Sequence, residues 1–248
     1  MELTVDGEHL GTPELQWQRS GRTQRLEPLR IGRPRRVVVV APHPDDEVLG
    51  AGGLIRRLAE EGSDLEILAV SDGEASHLGA GTTLGAVRRA ESVVALGRLG
   101  VRRARVTGLG LPDGRVTEHG EELRVALAHH LEGADLVLAP WSRDGHPDHD
   151  ACGLATTAVA ACTGTRTLAY LVWAWHWADP CSEDIPWREC RRFELDRTGM
   201  ARKRWSIRAY RSQIRPFGSP HPTPPVLPRP VLKRLRRNFE VYVEGPSA

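Results

Sequence analysis

Four consecutive valines, Val37 to Val40, followed by Ala41 and Pro42, constrain the fold of this chain more than any other stretch. A run with no polar residue in alternation suits a strand buried on both faces, the situation of a central strand in a parallel sheet covered by helices. The run leads directly into His43-Pro44-Asp45-Asp46-Glu47. In open α/β sheets ligands bind just beyond the carboxyl ends of the strands. A histidine and three acids therefore stand where such a protein keeps its site.

The segments that follow continue the alternation. Strands are expected at Val37–Ala41, Leu65–Val70, Val106–Leu109, Asp135–Ala139 and Leu168–Trp173. Helices are expected at Glu47–Glu61, Leu84–Leu99, Glu118–Leu131, His149–Cys162 and around Arg202–Ile214. Leu49, Ala51, Leu54 and Leu58 share one side of the first helix, and Gly100 stands where a helix-terminating glycine would. A βαβα order predicts an α/β fold of Rossmann-like type, with a mostly parallel sheet and helices on both faces. We divide the 248 residues into an arm over 1–34, a main domain over 35–215 and a basic, proline-rich extension over 216–248 packed on that domain. The arm, broken by Gly11, Pro13, Gly21, Pro28 and Pro34, is read as covering a sheet edge or as partly disordered.

Composition narrows the class. A hydrophobic share of 40% with 27% charged residues and a net charge of +2 is ordinary for a globular protein without strong electrostatic bias. That small net charge argues against nucleic acid as a partner. The apolar runs fall short of the roughly 18 residues of a membrane span, and the amino terminus lacks a basic-then-apolar leader. The four cysteines, Cys152, Cys162, Cys181 and Cys190, form no C-x-x-C pair, which argues against a zinc ribbon. A cytoplasmic protein with reduced thiols is the expectation.

Two stretches carry metal-ligand chemistry. In the first, Pro42 and Pro44 keep the chain extended after the strand, so a helix can start near Asp46. Acids in its first turn sit at the positive end of the helix dipole and stay ionised. Helix capping alone would account for one acid, not for three and a histidine. In the second, Leu136-Val137-Leu138-Ala139-Pro140 leads to Asp144-Gly145-His146-Pro147-Asp148-His149-Asp150 and another helix. If the two strands are near neighbours, both stretches face one crevice. One His and one carboxylate from the first with one His from the second make three protein ligands, leaving open coordination as in a catalytic zinc site.

Ala41-Pro42-His43-Pro44-Asp45-Asp46-Glu47 with the later His146-Pro147-Asp148-His149 resembles the PIG-L/LmbE family of zinc-dependent N-deacetylases. The resemblance runs from about Val37 to Gln213. It implies a hydrolase that removes an acetyl group from an N-acetylglucosamine-type amino sugar or its conjugate, in glycolipid, thiol or antibiotic metabolism. Carried over by residue, it implies His43, Asp46 and His149 as zinc ligands. Asp45 becomes the general base for the attacking water, and His146 the group at the carbonyl oxygen. Asp148 would orient His146 through a hydrogen bond. Arg88 and Asp113 match substrate-contacting positions, and Lys203 to Gln213 resembles the carboxyl-terminal helix signature. Some members carry a tyrosine two residues before the first histidine of the second motif; that position here is Asp144, so His146 and the metal carry the oxyanion or another group substitutes. Two His and one Asp also suit ferrous iron or another divalent metal.

Two other readings stay open. One is an amidase acting on another N-acyl or thiol-conjugate substrate; the other, from a different class, is a catalytically silent metal- or sugar-binding protein. A phosphoesterase would need a second metal and more ligands. Gly50-Ala51-Gly52-Gly53 lacks the order of a nucleotide loop and is read as close helix–sheet packing. Trp173-Ala174-Trp175-His176-Trp177 alternates as an extended segment would, which puts three indoles on one face, as core wall or sugar platform. From Arg197 to Phe239 there are twelve Lys and Arg and no acid, and seven prolines fall in 216–230. That basic third is read as a solvated face or as a match to an anionic substrate or acidic partner, and the proline-rich loop as a lid. Specificity is expected in the loops near Glu74–Thr83, at Arg115 and in the proline-rich segment. The other histidines, including His9, His77, His119 and His221, lack partners at metal spacing and are read as surface or core residues.

Overall fold

The computed structural model describes residues 11–77, 81–218 and 222–245. Its centre is an eight-stranded sheet in the order β1-β7-β8-β6-β5-β2-β3-β4. The strands are β1 (Glu27–Pro28), β2 (Arg36–Ala41), β3 (Asp64–Ala69), β4 (Arg105–Gly108), β5 (Leu136–Pro140), β6 (Arg166–Tyr170), β7 (Cys190–Glu194) and β8 (Phe239–Glu244). All neighbours pair in parallel except β8, which is antiparallel to both β6 and β7. The chain runs outward from β2 to β3 and β4, then returns to place β5 on the other side of β2. That reversal makes the carboxyl ends of β2 and β5 the switch point where a crevice opens. Val37, Val38 and Val39 lie opposite Leu136, Val137 and Leu138, so both polar stretches emerge side by side.

The helices are α1 (Glu14–Ser20), α2 (Asp46–Glu60), α3 (Gly81–Leu99), α4 (Gly120–Leu131), α5 (Pro147–Thr163), α6 (Ala174–Trp177), α7 (Arg197–Ile207), α8 (Arg211–Ile214) and α9 (Arg229–Leu235). They cover both faces. Val37 and Val39 pack into a cluster with Leu49, Leu54 and Leu58 of α2 and Leu99 of α3. Val38 and Val40 point the other way, toward Leu123 and Leu127 of α4 and Val159 of α5. Alternate valines thus enter different cores, which is why the run has no polar positions.

The glycines of α2 serve close packing, as expected. A Cβ on Gly50 would lie 2.2 Å from the Tyr170 ring, and one on Gly53 would lie 2.7 Å from Leu195. Tyr170 is fully buried and donates its hydroxyl to Val40 O at 2.7 Å, so its ring has no room to withdraw. Gly50→Ala is expected to destabilise the protein by about 1–3 kcal/mol, the usual cost of overpacking a core. Urea unfolding of the purified variant measures it. Gly100 follows α3 with φ +97°, the backbone that ends the helix there.

Three expectations are corrected. The strand read at Leu168–Trp173 stops at Tyr170, and Trp173–Trp177 is not extended but turns into α6. The cause is distant in sequence. The Asp144 carboxylate accepts the N–H groups of Val172, Trp173 and Ala174 at 2.9–3.0 Å and so caps the turn. The three indoles part company: Trp173 faces the cavity at the sheet switch point, Trp175 packs edge-on against Trp17, and Trp177 Nε1 donates to Asp144 O. The helix read around Arg202–Ile214 is two, α7 and α8. The proline-rich stretch gives way at Arg229 to α9, whose start tolerates Pro230 because the first helical N–H groups need no intrahelical partner.

The terminal segments belong to the sheet. β1 of the amino-terminal arm pairs with β7 at the edge, and Trp17 of α1 is buried. β8 of the carboxyl-terminal segment fills the gap between β6 and β7. The buried Lys203–Glu240 pair, at 2.6 Å, locks α7 to that strand. Glu240 also accepts the N–H groups of Gly53 and Leu54 in α2.

Candidate metal centre and active site

After β2 the backbone must turn sharply to launch α2. Asp45 takes the turn at φ +140°, a conformation that costs a residue with a side chain about 1–3 kcal/mol and tends to mark functional sites. Glu47 holds it there. The Glu47 carboxylate accepts the Asp45 N–H at 3.0 Å, Ser92 Oγ at 2.8 Å and the Tyr210 hydroxyl at 2.9 Å. Glu47 thus secures the helix start, and burial pushes its carboxyl above the usual range.

His43, Asp46 and His149 converge. Asp46 Oδ2 lies 3.1 Å from His43 Nδ1 and 3.1 Å from His149 Nε2, and one ligand atom from each residue falls within 4.8 Å of the others. Ligands about 2.0–2.1 Å from a tetrahedral zinc would stand about 3.3 Å apart, so the group fits a metal ion. The buried His149 Nε2 supports that fit, because it makes no hydrogen bond despite its nearness to Asp46. A second grouping, His43, His146 and Asp148, also falls within 4.8 Å. There, however, His146 Nδ1 and the Asp148 carboxylate are already occupied by backbone N–H groups.

Each of the two imidazoles is met on its other side by a carboxylate. His149 Nδ1 lies 2.8 Å from Asp144 Oδ2, and both side chains are fully buried. Asp144 therefore does not stand in for the family's tyrosine at the carbonyl; it fixes the ring of His149. His43 Nε2 lies 3.0 Å from Asp113 Oδ1 and 3.1 Å from Asp148 Oδ2. The sequence offered a signal for Asp144, an acid five residues before His149, but its three backbone partners in 172–174 come only from the fold.

These placements set the protonation states. Burial works against charge on His149, but the Asp46 and Asp144 carboxylates outweigh it and push the pKa up to about 9. His43 is likewise raised well above its usual value, with Asp113, Asp148 and Asp46 overcoming burial. Asp46 is held far below the carboxylate range, burial being overcome by His149 and His43. Asp45 goes the other way: burial, with Asp46 and Glu47 beside it, lifts it to about 8 against the pull of Arg88. His146 is lowered to about 3 by burial and by the charges on His43 and His149. The two neighbouring carboxyl groups are thus set apart: Asp46 stays an anion suited to holding a cation, while Asp45 keeps a proton to higher pH.

His146 is neutral at ordinary pH and its tautomer follows from geometry. As N-cap of α5 its Nδ1 accepts the Asp148 N–H at 3.2 Å. The ring proton must then sit on Nε2, which becomes a donor. The expected hydrogen bond from the Asp148 side chain to His146 is corrected. That carboxylate accepts from Gly114 N at 2.7 Å and Val116 N at 3.1 Å and contacts His43. It ties the loop after β4 to α5, because at the second helical position its side chain faces that loop.

Arg88 sits in α3 at 3% exposure and is held fast. It donates to Gly73 O at 2.9 Å, to Pro44 O at 3.0 Å and to Asp45 Oδ2 at 3.3 Å. Its contacts make it a support for Asp45, on the cavity wall. Asp113 lines the same cavity while accepting the Ala75 N–H at 2.8 Å.

The cavity has a volume of ≈ 610 Å³. Its floor is His43, Asp45, Asp46 and His146; its walls include Trp173, Gln213, Ala75–His77 and Thr223–Leu227. The proline-rich segment therefore does reach the site, and the loop after β3 contributes its first part. Residues 78–80 and His221 lie outside the described residues, as does His9. Arg115 is on the surface, paired with Glu118. His77, read as an isolated histidine, is a wall residue that contacts Ser212 O at 2.9 Å and Thr223 Oγ1 at 2.6 Å, with its ring against Phe217. It pins the proline-rich loop to the wall.

Comparison with known proteins places the fold and the sequence among deacetylases. The family model of GlcNAc-PI de-N-acetylase (PIG-L) matches residues 38–160. A diacetylchitobiose deacetylase of Thermococcus kodakarensis is 30% identical over 131 residues, 48% of this chain and 46% of that protein. A 1D-myo-inositol 2-acetamido-2-deoxy-alpha-D-glucopyranoside deacetylase of Rhodococcus opacus is 31% identical over 161 residues, 53% of this chain and 55% of that protein. The chain thus spans about half the length of the curated relatives it matches. A solved deacetylase of the teicoplanin biosynthesis pathway superposes with a TM-score of 0.61 at 18% identity, covering 86% of this chain and 100% of that one, which shows a shared fold.

Proposed function

We propose that this chain, whose residues 38–160 match the PIG-L family model, is a PIG-L-family metal-dependent hydrolase. It removes the N-acetyl group from an N-acetylglucosamine-type amino sugar or its conjugate. The observation that carries this reading is the cavity floor, where a three-ligand group for one metal stands beside a carboxyl lifted to about 8 and a neutral histidine. The names of the relatives, both deacetylases, support the choice of bond.

A divalent metal held by His43, Asp46 and His149, zinc before ferrous iron, would polarise the acetamide carbonyl and lower the pKa of the attacking water. Asp45 takes the proton from that water and passes it to the departing amine. Arg88 keeps the Asp45 carboxylate aimed at the floor. His146 Nε2–H donates to the carbonyl oxygen as it gains charge, a contact that strengthens only on the way to the transition state. Asp113, Trp173 and the 223–227 segment offer polar and aromatic surface to the sugar. A cytoplasmic setting is part of this reading; among the described residues no helix is long and apolar enough to cross a membrane.

Acetate release across N-acetyl amino sugars, nucleotide sugars and pseudo-disaccharides, with and without chelator, tests the reading. Chelator-insensitive turnover would overturn the metal mechanism. Bound metal with no acetate from any substrate would favour a silent binding protein, and release from another N-acyl amide alone would favour the amidase.

Two further outcomes are expected. His146→Asn keeps a side-chain acceptor at the helix N-cap, but its shorter amide does not reach the position of Nε2, so the donor at the carbonyl is withdrawn. Its kcat should fall about 10²–10³-fold with metal content unchanged, as steady-state kinetics and metal analysis would show. Metal uptake should also be pH-dependent. Because His149 holds a proton up to about 9 in the metal-free protein, metal must displace it below that pH. Affinity should rise about tenfold per pH unit for each proton displaced, levelling off near pH 9. Competition against a chromophoric chelator between pH 6 and 9 measures it; a flat profile would contradict the assigned ligand.

A further inference from the structure

A second cavity, of ≈ 570 Å³, lies between α1, α7, α9 and the adjoining ends of β7 and β8, and shares no lining residue with the first. Arg192, Arg204, Lys233, Arg236 and Arg237 line it, with Glu14 as the carboxylate among its described lining residues. Glu14 binds Arg237 through Nε and Nη2 at 2.6–3.1 Å, and Glu194 binds Arg192 at 2.5 Å. Positive charge is still in clear excess.

Three of the cationic groups, Arg237, Arg192 and Arg204, are held in place by neighbours. Arg237 is 8% exposed. Its guanidinium carbon lies 4.3 Å from the centre of the Trp175 ring and 5.6 Å from that of Trp17. Arg192 stacks on Phe239 at 3.8 Å. Arg204 donates through Nε and Nη2 to Arg236 O at 3.0–3.1 Å and so fixes the backbone of its neighbour. Aromatic stacking and these bonds remove the rotamer freedom that makes surface arginines weak binders. Two buried donors, Arg236 Nε and Arg237 Nη1, nevertheless have no partner. A buried unpaired guanidinium N–H costs more than an ordinary hydrogen bond returns, so the site is complete only with an acceptor in it.

We propose that this second cavity binds a phosphate-type oxyanion, apart from the site of amide hydrolysis. The unpaired Arg236 Nε and Arg237 Nη1 donors, set among an excess of positive charge that includes Lys233, suit the many acceptor oxygens and multiple charge of a phosphate group, where one carboxylate would satisfy few of them. Burial and the neighbouring Arg208 and Arg204 already draw Arg236 below its usual range, a penalty that a bound anion reverses. The run of twelve cations without an acid between Arg197 and Phe239 thereby acquires a purpose: α7, α9 and the start of β8 bring part of it to one cavity.

The phosphate group could belong to a small molecule or to a lipid headgroup. Titration of the metal-loaded full chain with inorganic phosphate at low ionic strength, and co-sedimentation with phosphatidylcholine vesicles containing phosphatidic acid, separate these sources. Arg204 and Lys233 are exposed, so Arg204→Gln/Lys233→Gln should fold; its thermal midpoint and metal content verify that. The double variant should bind the phosphate probe at least tenfold more weakly than wild type, and binding to wild type should weaken with added salt. Binding of both phosphate and vesicles, or of either one, supports the proposal and identifies the source. Wild-type protein that binds neither, or binding that survives the double substitution and so belongs to the metal centre, overturns it.

Discussion

Asp45→Asn is expected to lower kcat by about 10²–10⁴-fold, the contribution of a positioned general base, while leaving metal content unchanged. The replacement is close to isosteric, so asparagine meets the same backbone demand at φ +140° as Asp45 does and adds little to it. Arg88, Gly73 and Pro44 keep their hydrogen bonds, so the loop should hold its shape. Asp46, not Asp45, faces His43 and His149, so the metal ligands stay intact. Stability supplies an independent readout. In the metal-free protein burial, Asp46 and Glu47 raise Asp45 from 3.8 to about 8. The folded state then binds a proton that the unfolded chain has released, and stability falls as pH rises from about 4 to 8. The asparagine variant lacks that loss, so without metal it should match or exceed wild type in thermal midpoint at pH 8. Turnover equal to wild type would remove Asp45 from the mechanism.

His149→Ala should abolish both tight metal binding and turnover. It removes one of three ligands, a larger loss than the about 10–100-fold in affinity that follows from deleting a residue behind a ligand. The latter is the outcome expected for Asp144→Asn in the fraction that stays folded: it weakens the hold on Nδ1 yet leaves Nε2 in place. Its amide NH2 also replaces an acceptor for the 172–174 N–H groups and lowers the thermal midpoint. The pair therefore forms a graded series, measured by metal content after dialysis and by acetate release on metal titration. If His149→Ala retained stoichiometric metal, the converging triad would not be the metal centre.

The sheet and the chemistry-bearing loops were legible in the sequence because both are locally encoded. An unbroken valine run must be buried on both faces, Pro42 and Pro44 keep the following loop extended, and acids favour the start of a helix. Glu47 as the support of the helix start follows from the same local logic. The close helix–sheet packing read from the glycines of α2 rested on the absence of a phosphate-loop order, and the Tyr170 ring is its reason.

What only the tertiary structure decided lies at long sequence separation. Asp144 meets the N–H groups of 172–174 and bends an apparent strand into α6. An Asp148 hydrogen bond to His146, two residues away, is the local expectation; the side chain instead contacts His43, 105 residues away, because α5 aims it at the loop after β4. The antiparallel β8 enters the sheet through a buried ion pair with α7. Arg88 faces Asp45 for a like reason, since α3 packs behind the loop. The amino acids of the candidate metal triad were named from the sequence through its family resemblance, and the fold brings them together. Their orientation, their proton affinities and the second, basic cavity came from which elements the sheet order places side by side, since hydrogen bonds and charge pairs of this length are chosen by position in space and leave no period in the chain.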